Sequence, residues 1–198
     1  MADNVLARVL DATDATIGGG SAVALAAAMA AGLVGLVARL SPGRDLGLSD
    51  AEYGDVYVEA GGLAQALAAG AQEDADAYGL VKAAYGLPRA GEDAAAARRT
   101  AIDKALVAAA TVPLQNSRRA LRVRELCAKL TASSNQAAGS DLAAAVLLAD
   151  AAVCGCLLNV DVNVRALSES SPAARLRREA EAVRASRERV NVPMKEIA

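Results

Sequence analysis

Histidine, phenylalanine and tryptophan are absent from the 198 residues, and four tyrosines are the only aromatics. Without histidine there is no side chain of ordinary pKa near neutrality, so proton transfer falls to Asp, Glu, Lys, Tyr or the substrate itself. The commonest metal ligand is missing too. Cys154-Gly155-Cys156 with a distant Cys127 does not have the spacing of a zinc site, so no metal is expected. Three cysteines are an odd set, and no signal-peptide pattern opens the sequence; together these predict reduced, buried thiols in the cytoplasm. Nor is there a run of one charge. Twenty-one basic and 23 acidic residues are interspersed for a net charge of −2, which argues against nucleic acid or another polyanion as partner.

What is present is alanine. Hydrophobic residues make up 54% of the chain and alanine dominates them. Alanine is the best helix former and has little side-chain volume, so such a core must come from close approach of helix backbones. No segment alternates with period two. The expectation is an all-α bundle of five to six long antiparallel helices, one domain over residues 1–198, whose leftover flat apolar face is buried by a second copy in a homodimer. Helix starts and stops place the segments at about Asn4 to Leu10, Ser21 to Arg39, Asp50 to Tyr85, Glu92 to Leu130, Leu142 to Leu167 and Pro172 to Val190. Pro113 inside the fourth should kink it. The sixth reads as a solvated outer helix with i,i+4 pairs such as Arg184 and Glu188.

Residues 16–40, TIGGGSAVALAAAMAAGLVGLVARL, are the most unusual stretch. Ala22 to Ala38 is 17 residues without charge, at the short limit for a bilayer and rich in Ala and Gly rather than Leu, so no membrane span is expected. Small residues at Ala24, Ala28, Gly32 and Gly35 instead fit a central, closely packed helix. The glycines are no phosphate loop, since no lysine follows them, and no dinucleotide fingerprint, since no strand precedes them. Two readings stay open. Free N–H groups at the helix start hold an anion or a carbonyl oxygen, or the turn is a bare cap with Ser21 as the capping residue.

Among the acids, Asp74 and Asp76 lie two apart on a helix and cannot face one site, whereas Asp74 and Tyr78 are i,i+4 neighbours able to pair. Asp141 stands where the fifth helix begins, as a catalytic group or as a first-turn acid. Asn159 and Asn163 share one face of an apolar helix, where amides either bridge to neighbouring helices or meet the polar edge of a ring.

Taken together, these motifs resemble the cyclodeaminase/cyclohydrolase family. Thr16-Ile17-Gly18-Gly19-Gly20-Ser21 is similar to its T-P-G-G-G-S opening, Glu73 to Tyr78 to its E/D-D-A-x-A-F, and Tyr85 to Arg89 to its L-P-K. Val112-Pro113-Leu114, Ser140-Asp141 and Asn159-Val160 with Asn163 resemble its V-P-L, S-D and N-V-x-x-N. The order holds from about Asn4 to Val190. Ile17 replaces the family proline, and Arg39 to Asp45 replaces a family N-L-T-x-G-K-K segment, leaving Arg39 and Arg44 as the local cations. The resemblance implies hydrolysis of 5,10-methenyltetrahydrofolate to 10-formyltetrahydrofolate, with no cofactor beyond the folate substrate. It implies Asp141 and Asp74 as catalytic carboxylates, and Gly18, Gly19, Gly20, Ser21, Arg44, Asn159 and Asn163 as substrate-binding residues. Formiminotetrahydrofolate cyclodeaminase, releasing ammonia, is the enzymatic alternative, less favoured because no formiminotransferase domain is attached. A non-catalytic folate-binding or structural relative is the third reading.

Overall fold

The alanine-rich stretch folds into the helix around which the others assemble. The computed structural model describes residues 5–168, 171–194 and 197, so Asn4, placed above at the first helix start, lies outside the described residues. In chain order the helices are α1 (Val5–Leu10), α2 (Gly19–Arg39), α3 (Asp50–Tyr85), α4 (Glu92–Leu130), α5 (Gly139–Ala166) and α6 (Ser171–Arg189), with a 3-10 turn at Gln136–Ala138. Among the described residues there is no strand, and the fold is all-α as the sequence predicts.

Small side chains decide the packing. Ala24, Ala27, Ala31, Val34 and Ala38 on α2 are fully buried, letting α3 and α5 close on it from two sides; α3 then packs on α4, and α4 on α5. Both neighbours run antiparallel to α2, for Gly20 faces Asp74 while Gly35 faces Tyr57 and Ala60, and Val23 meets Gly155 while Leu40 meets Asn135. A Cβ on Gly155 would stand 2.5 Å from Val23 Cγ1, so the α2–α5 crossing depends on glycine there. α2 and the segment Gln136–Ala166 are long and apolar enough to cross a membrane by length and composition, yet about half of each apolar window faces the bundle interior.

Local chemistry sets the helix ends. Ser49 Oγ accepts from the Glu52 N–H and Glu52 Oε2 accepts from the Ser49 N–H at 2.9 Å, a capping box that starts α3. α4 begins after Gly91, whose φ of +89° favours glycine, and runs as a continuous helix through the buried Pro113. α6 buries Ala173, Leu176, Ala180 and Val183. One ion pair of this outer helix needs correction: Arg184 pairs with Asp161 of α5 at 2.6 Å and with Glu181, rather than with Glu188, and Arg187 makes a two-bonded clasp on Asp150. A partner on the neighbouring helix fixes α6 to the bundle, which an i,i+4 pair does not. Cys127 and Cys156 are buried, while Cys154 is half-buried.

Candidate active site

At the N-terminal end of α2 the chain leaves a cleft of about 300 Å³ lined by residues 15–20, Asp74, Ala75 and Tyr78 of α3, Ala109 of α4, and Asn159 and Asn163 of α5. It exists because α2 starts at Gly19 while α3, α4 and α5 continue beyond that level. Among the described residues, Asp74 is the one carboxylate in the lining, Tyr78 is the other ionisable group, and no basic residue belongs to it. A larger groove of about 580 Å³ between α2 and α3 has Arg39 as its charged residue and is lined chiefly by glycine and apolar side chains.

The question left by the glycines is resolved by Asp74. Gly18 is the N-cap in extended conformation (φ −156°), with no side-chain cap, and the helix begins two residues before the predicted Ser21. Ser21 therefore sits inside the first turn and is fully buried. Its hydroxyl donates to Asp74 Oδ2 at 3.1 Å, and its backbone N–H bonds the same carboxyl. The anion at this helix N-terminus is the protein's own aspartate, which corrects the reading of Ser21 as a cap. The carboxylate comes this close because residue 20 has no side chain: a Cβ there would stand 2.4 Å from both Asp74 oxygens. Burial raises the Asp74 carboxyl above its ordinary 3.8, and the two Ser21 bonds pull in the other direction. Ser21, not Tyr78, is its hydrogen-bond partner.

The wall opposite α2 comes from the turn before it. Arg8 of α1 donates to Asp14 at 3.0 Å, to Thr16 Oγ1 at 2.9 Å and to Gln72 of α3 at 3.4 Å, so one guanidinium joins the loop to α3. Gln72 is itself oriented by Asp76, at 2.7 Å, which explains that carboxylate's outward direction. Hydrogen bonds from Thr16 and Arg8 hold the Asp14 carboxyl down at about 2.

The two asparagines line the cleft, each with its amino group donating to a backbone carbonyl. Asn159 Nδ2 donates to the Gly155 carbonyl at 2.9 Å; Asn163 Nδ2 donates to the Asn159 carbonyl and, across to α4, to the Ala109 carbonyl, both at 2.9 Å. Carbonyl partners identify the donor end of each amide, leaving each Oδ1 to accept from a ligand.

Of the residues singled out from sequence, the fold brings together Asp74, Gly18, Gly19, Gly20, Ser21, Asn159 and Asn163. Asp141 and Arg44 are not among them. Asp141 lies in the first turn of α5, 18 residues and so roughly 27 Å along the axis from Asn159, and Arg44 follows α2, roughly 30 Å from its first turn. Asn135 ties these two regions together by bonding Ser41 Oγ and the Leu40 carbonyl, so both residues occupy the opposite end of the bundle. Antiparallel helices convert a large sequence separation into proximity for Asp74 and Ser21, and keep Asp141 distant. Ala15, Thr16, Ile17, Ala75, Tyr78 and Ala109 complete the lining; Thr16 and Ile17 stood in the glycine motif and Tyr78 in i,i+4 relation to Asp74, whereas nothing in the sequence pointed to Ala109.

Comparison with known proteins places the cleft in context. A Methylorubrum extorquens methenyltetrahydrofolate cyclohydrolase is 35% identical over 155 residues, 78% of this chain and 74% of the relative. The crystal structure of formiminotetrahydrofolate cyclodeaminase from Thermotoga maritima superposes with a TM-score of 0.79 at 23% identity, over 92% of this chain and 86% of that one, a likeness of fold. The sequence profile of formiminotransferase-cyclodeaminase matches residues 4–182, a span that includes every residue of the cleft. On that match and the 35% relative together, the chain belongs to the formiminotransferase-cyclodeaminase family.

Proposed function

We propose that the protein is a methenyltetrahydrofolate cyclohydrolase and that the cleft around Asp74 is its active site. One observation carries this reading: among the described residues, a single desolvated carboxylate and no basic side chain line the cleft. Such a site suits a cation, and the methenyl bridge between N5 and N10 of the substrate is an amidinium cation. An anionic reacting centre would find no charged partner there.

In this scheme ionised Asp74 takes a proton from water as its oxygen bonds to the methenyl carbon, which loses its positive charge. The bond from that carbon to N5 then breaks while Asp74 returns the proton to N5. The hydroxyl proton goes to solvent and the C=O of the N10-formyl group forms, so one water is consumed and one proton released. Asp74 is matched to both transfers because burial lifts its carboxyl toward the pH at which it works. The asparagine oxygens and the turn at Gly18 and Gly19 hold the ring system, and no metal or further cofactor enters the scheme. The relative named as a cyclohydrolase supports this assignment.

The fold neighbour named as a cyclodeaminase keeps the second reading in view. There N10 attacks the formimino carbon, Asp74 takes the N10 proton and passes it to the former imino nitrogen, and with one further proton from solvent the C–N bond breaks and that nitrogen leaves as ammonia while the methenyl bridge forms. The decisive experiment follows loss of methenyltetrahydrofolate absorbance against spontaneous hydrolysis. Acceleration that disappears in Asp74→Asn supports the cyclohydrolase; ammonia released from 5-formiminotetrahydrofolate without such acceleration selects the cyclodeaminase. Binding of tetrahydrofolate with neither activity leaves a binding protein.

Two further features belong to this proposal. The thiols fit a cytoplasmic enzyme, and two copies pair through the face carrying Met29, Tyr57 and Val58, where Gly32, Gly61 and Gly62 leave room for a helix to approach closely. Light scattering on wild type and Val58→Arg tests the dimer; a monomeric wild type overturns it.

A further inference from the structure

The proline in α4 and the asparagine in the cleft are linked by one carbonyl. In an α-helix the N–H of residue 113 would bond the carbonyl of residue 109, and proline has no N–H. Its ring also crowds that carbonyl and tilts it away from the helix axis. The carbonyl thus released is that of Ala109, a residue that lines the cleft, and Asn163 Nδ2 donates to it at 2.9 Å. The second Nδ2 hydrogen goes to the Asn159 carbonyl at 2.9 Å. With both donors held on two different helices, the amide plane of Asn163 is fixed and its Oδ1 is presented as an acceptor. Pro113 itself is buried and touches no cleft surface.

We infer that Pro113 is a positioning residue: it strips the Ala109 carbonyl of its helical partner so that this carbonyl anchors Asn163, whose Oδ1 then accepts from a ring N–H of the substrate. The role rests on reading the cleft as the tetrahydrofolate site. It also accounts for a proline in the interior of a 39-residue helix, where it is the least favourable of residues. A freed backbone carbonyl in a buried place needs a donor, and the one it has belongs to the site.

Pro113→Ala gives the helix back its N–H and turns the Ala109 carbonyl inward. Asn163→Leu, similar in shape, removes the amide altogether. Three quantities are read: side-chain amide proton exchange of Asn163 by NMR without ligand, kcat and KM on methenyltetrahydrofolate, and the melting temperature. For Pro113→Ala the expected result is faster Asn163 exchange, KM raised roughly tenfold with kcat within about twofold, and a melting temperature unchanged or higher. Asn163→Leu raises KM at least as much, and the double variant is no worse than Asn163→Leu alone because both act through one contact. Unchanged exchange and KM in Pro113→Ala overturns the inference. So does a fall in melting temperature with kcat and KM otherwise intact, which assigns the proline to packing. Should wild type show no hydrolysis at all, the folate reading fails by itself, and the exchange measurement still decides whether Pro113 frees the anchor of Asn163.

Discussion

Gly20→Ala isolates the contact on which the site is built. The added Cβ would stand 2.4 Å from both Asp74 oxygens, and an ordinary contact begins near 3.4 Å, so the carboxylate must retreat by about 1 Å. That displacement breaks or lengthens the Ser21 bond of 3.1 Å. A shift of about 1 Å in a catalytic group lowers turnover by roughly a hundredfold, or about 2.7 kcal/mol of transition-state stabilisation. Stability moves much less. Overpacking costs about 1–3 kcal/mol, while alanine is about 1 kcal/mol more favourable than glycine in a helix, so the net loss is about 0–2 kcal/mol. Gly54→Ala and Gly79→Ala serve as controls, since a Cβ at either meets nothing within 4 Å and neither residue lines the cleft. Absorbance kinetics on methenyltetrahydrofolate with parallel thermal melts should show kcat reduced roughly a hundredfold for Gly20→Ala, with both controls within about fivefold of wild type. Gly20→Ala/Asp74→Asn should be no slower than Asp74→Asn. If Gly20→Ala keeps wild-type kcat, or if all three glycine variants lose activity equally, the placement of the carboxylate by α2 is refuted.

Asp74 also links activity to pH and stability. Its native pKa is raised above 3.8, so the stability gained by keeping it neutral is complete below about pH 3.8 and is lost as pH rises through the native value. Asp74→Asn should therefore melt higher than wild type at pH 7, with the difference shrinking as pH falls toward 4, while wild-type kcat declines over that same descent; a lower melting temperature at pH 7 would contradict this. Arg8→Ala should leave kcat near wild type, raise KM about tenfold and quicken proteolysis in residues 11–18, because the cleft wall loses its tie to Gln72; an unchanged KM would dismiss Arg8 as a surface residue. Of the three thiols, Cys154 should react first with a disulfide reagent in the native protein, since burial pushes the Cys127 and Cys156 thiols up to about 12; equal reactivity of all three would show that both α4 and α5 open readily.

How much of this was legible beforehand differs between levels. Helix content followed from alanine propensity and from three- and four-residue spacing, and the starts of α3 and α4 fall where the sequence places them, near Asp50 and Glu92, although the Ser49–Glu52 capping box was recognised only in the structure. The start of α2 was misplaced by two residues since three glycines permit the turn at any of them, and only the bond to Asp74 shows what Ser21 does. Arg184 was assigned to Glu188 on spacing, but a carboxylate on α5 was nearer to it in space.

The sequence by itself narrowed the chemistry and the architecture: without histidine, proton transfer falls to Asp, Glu, Lys, Tyr or the substrate, and an alanine-rich chain has to pack helix against helix. The family resemblance put Asp141 and Asp74 forward as the catalytic carboxylates, and the glycines stayed open between a ligand loop and a bare cap. Tertiary structure shows which of these groups share a cleft. Antiparallel packing puts residue 74 against residue 20 and carries residue 141 to the far end of the bundle, and the desolvation that makes Asp74 useful arises only where α2, α3 and α5 meet. Spacing along a chain specifies which way a side chain points from its own helix, whereas distance to another helix and exclusion of water depend on the register in which the helices pack.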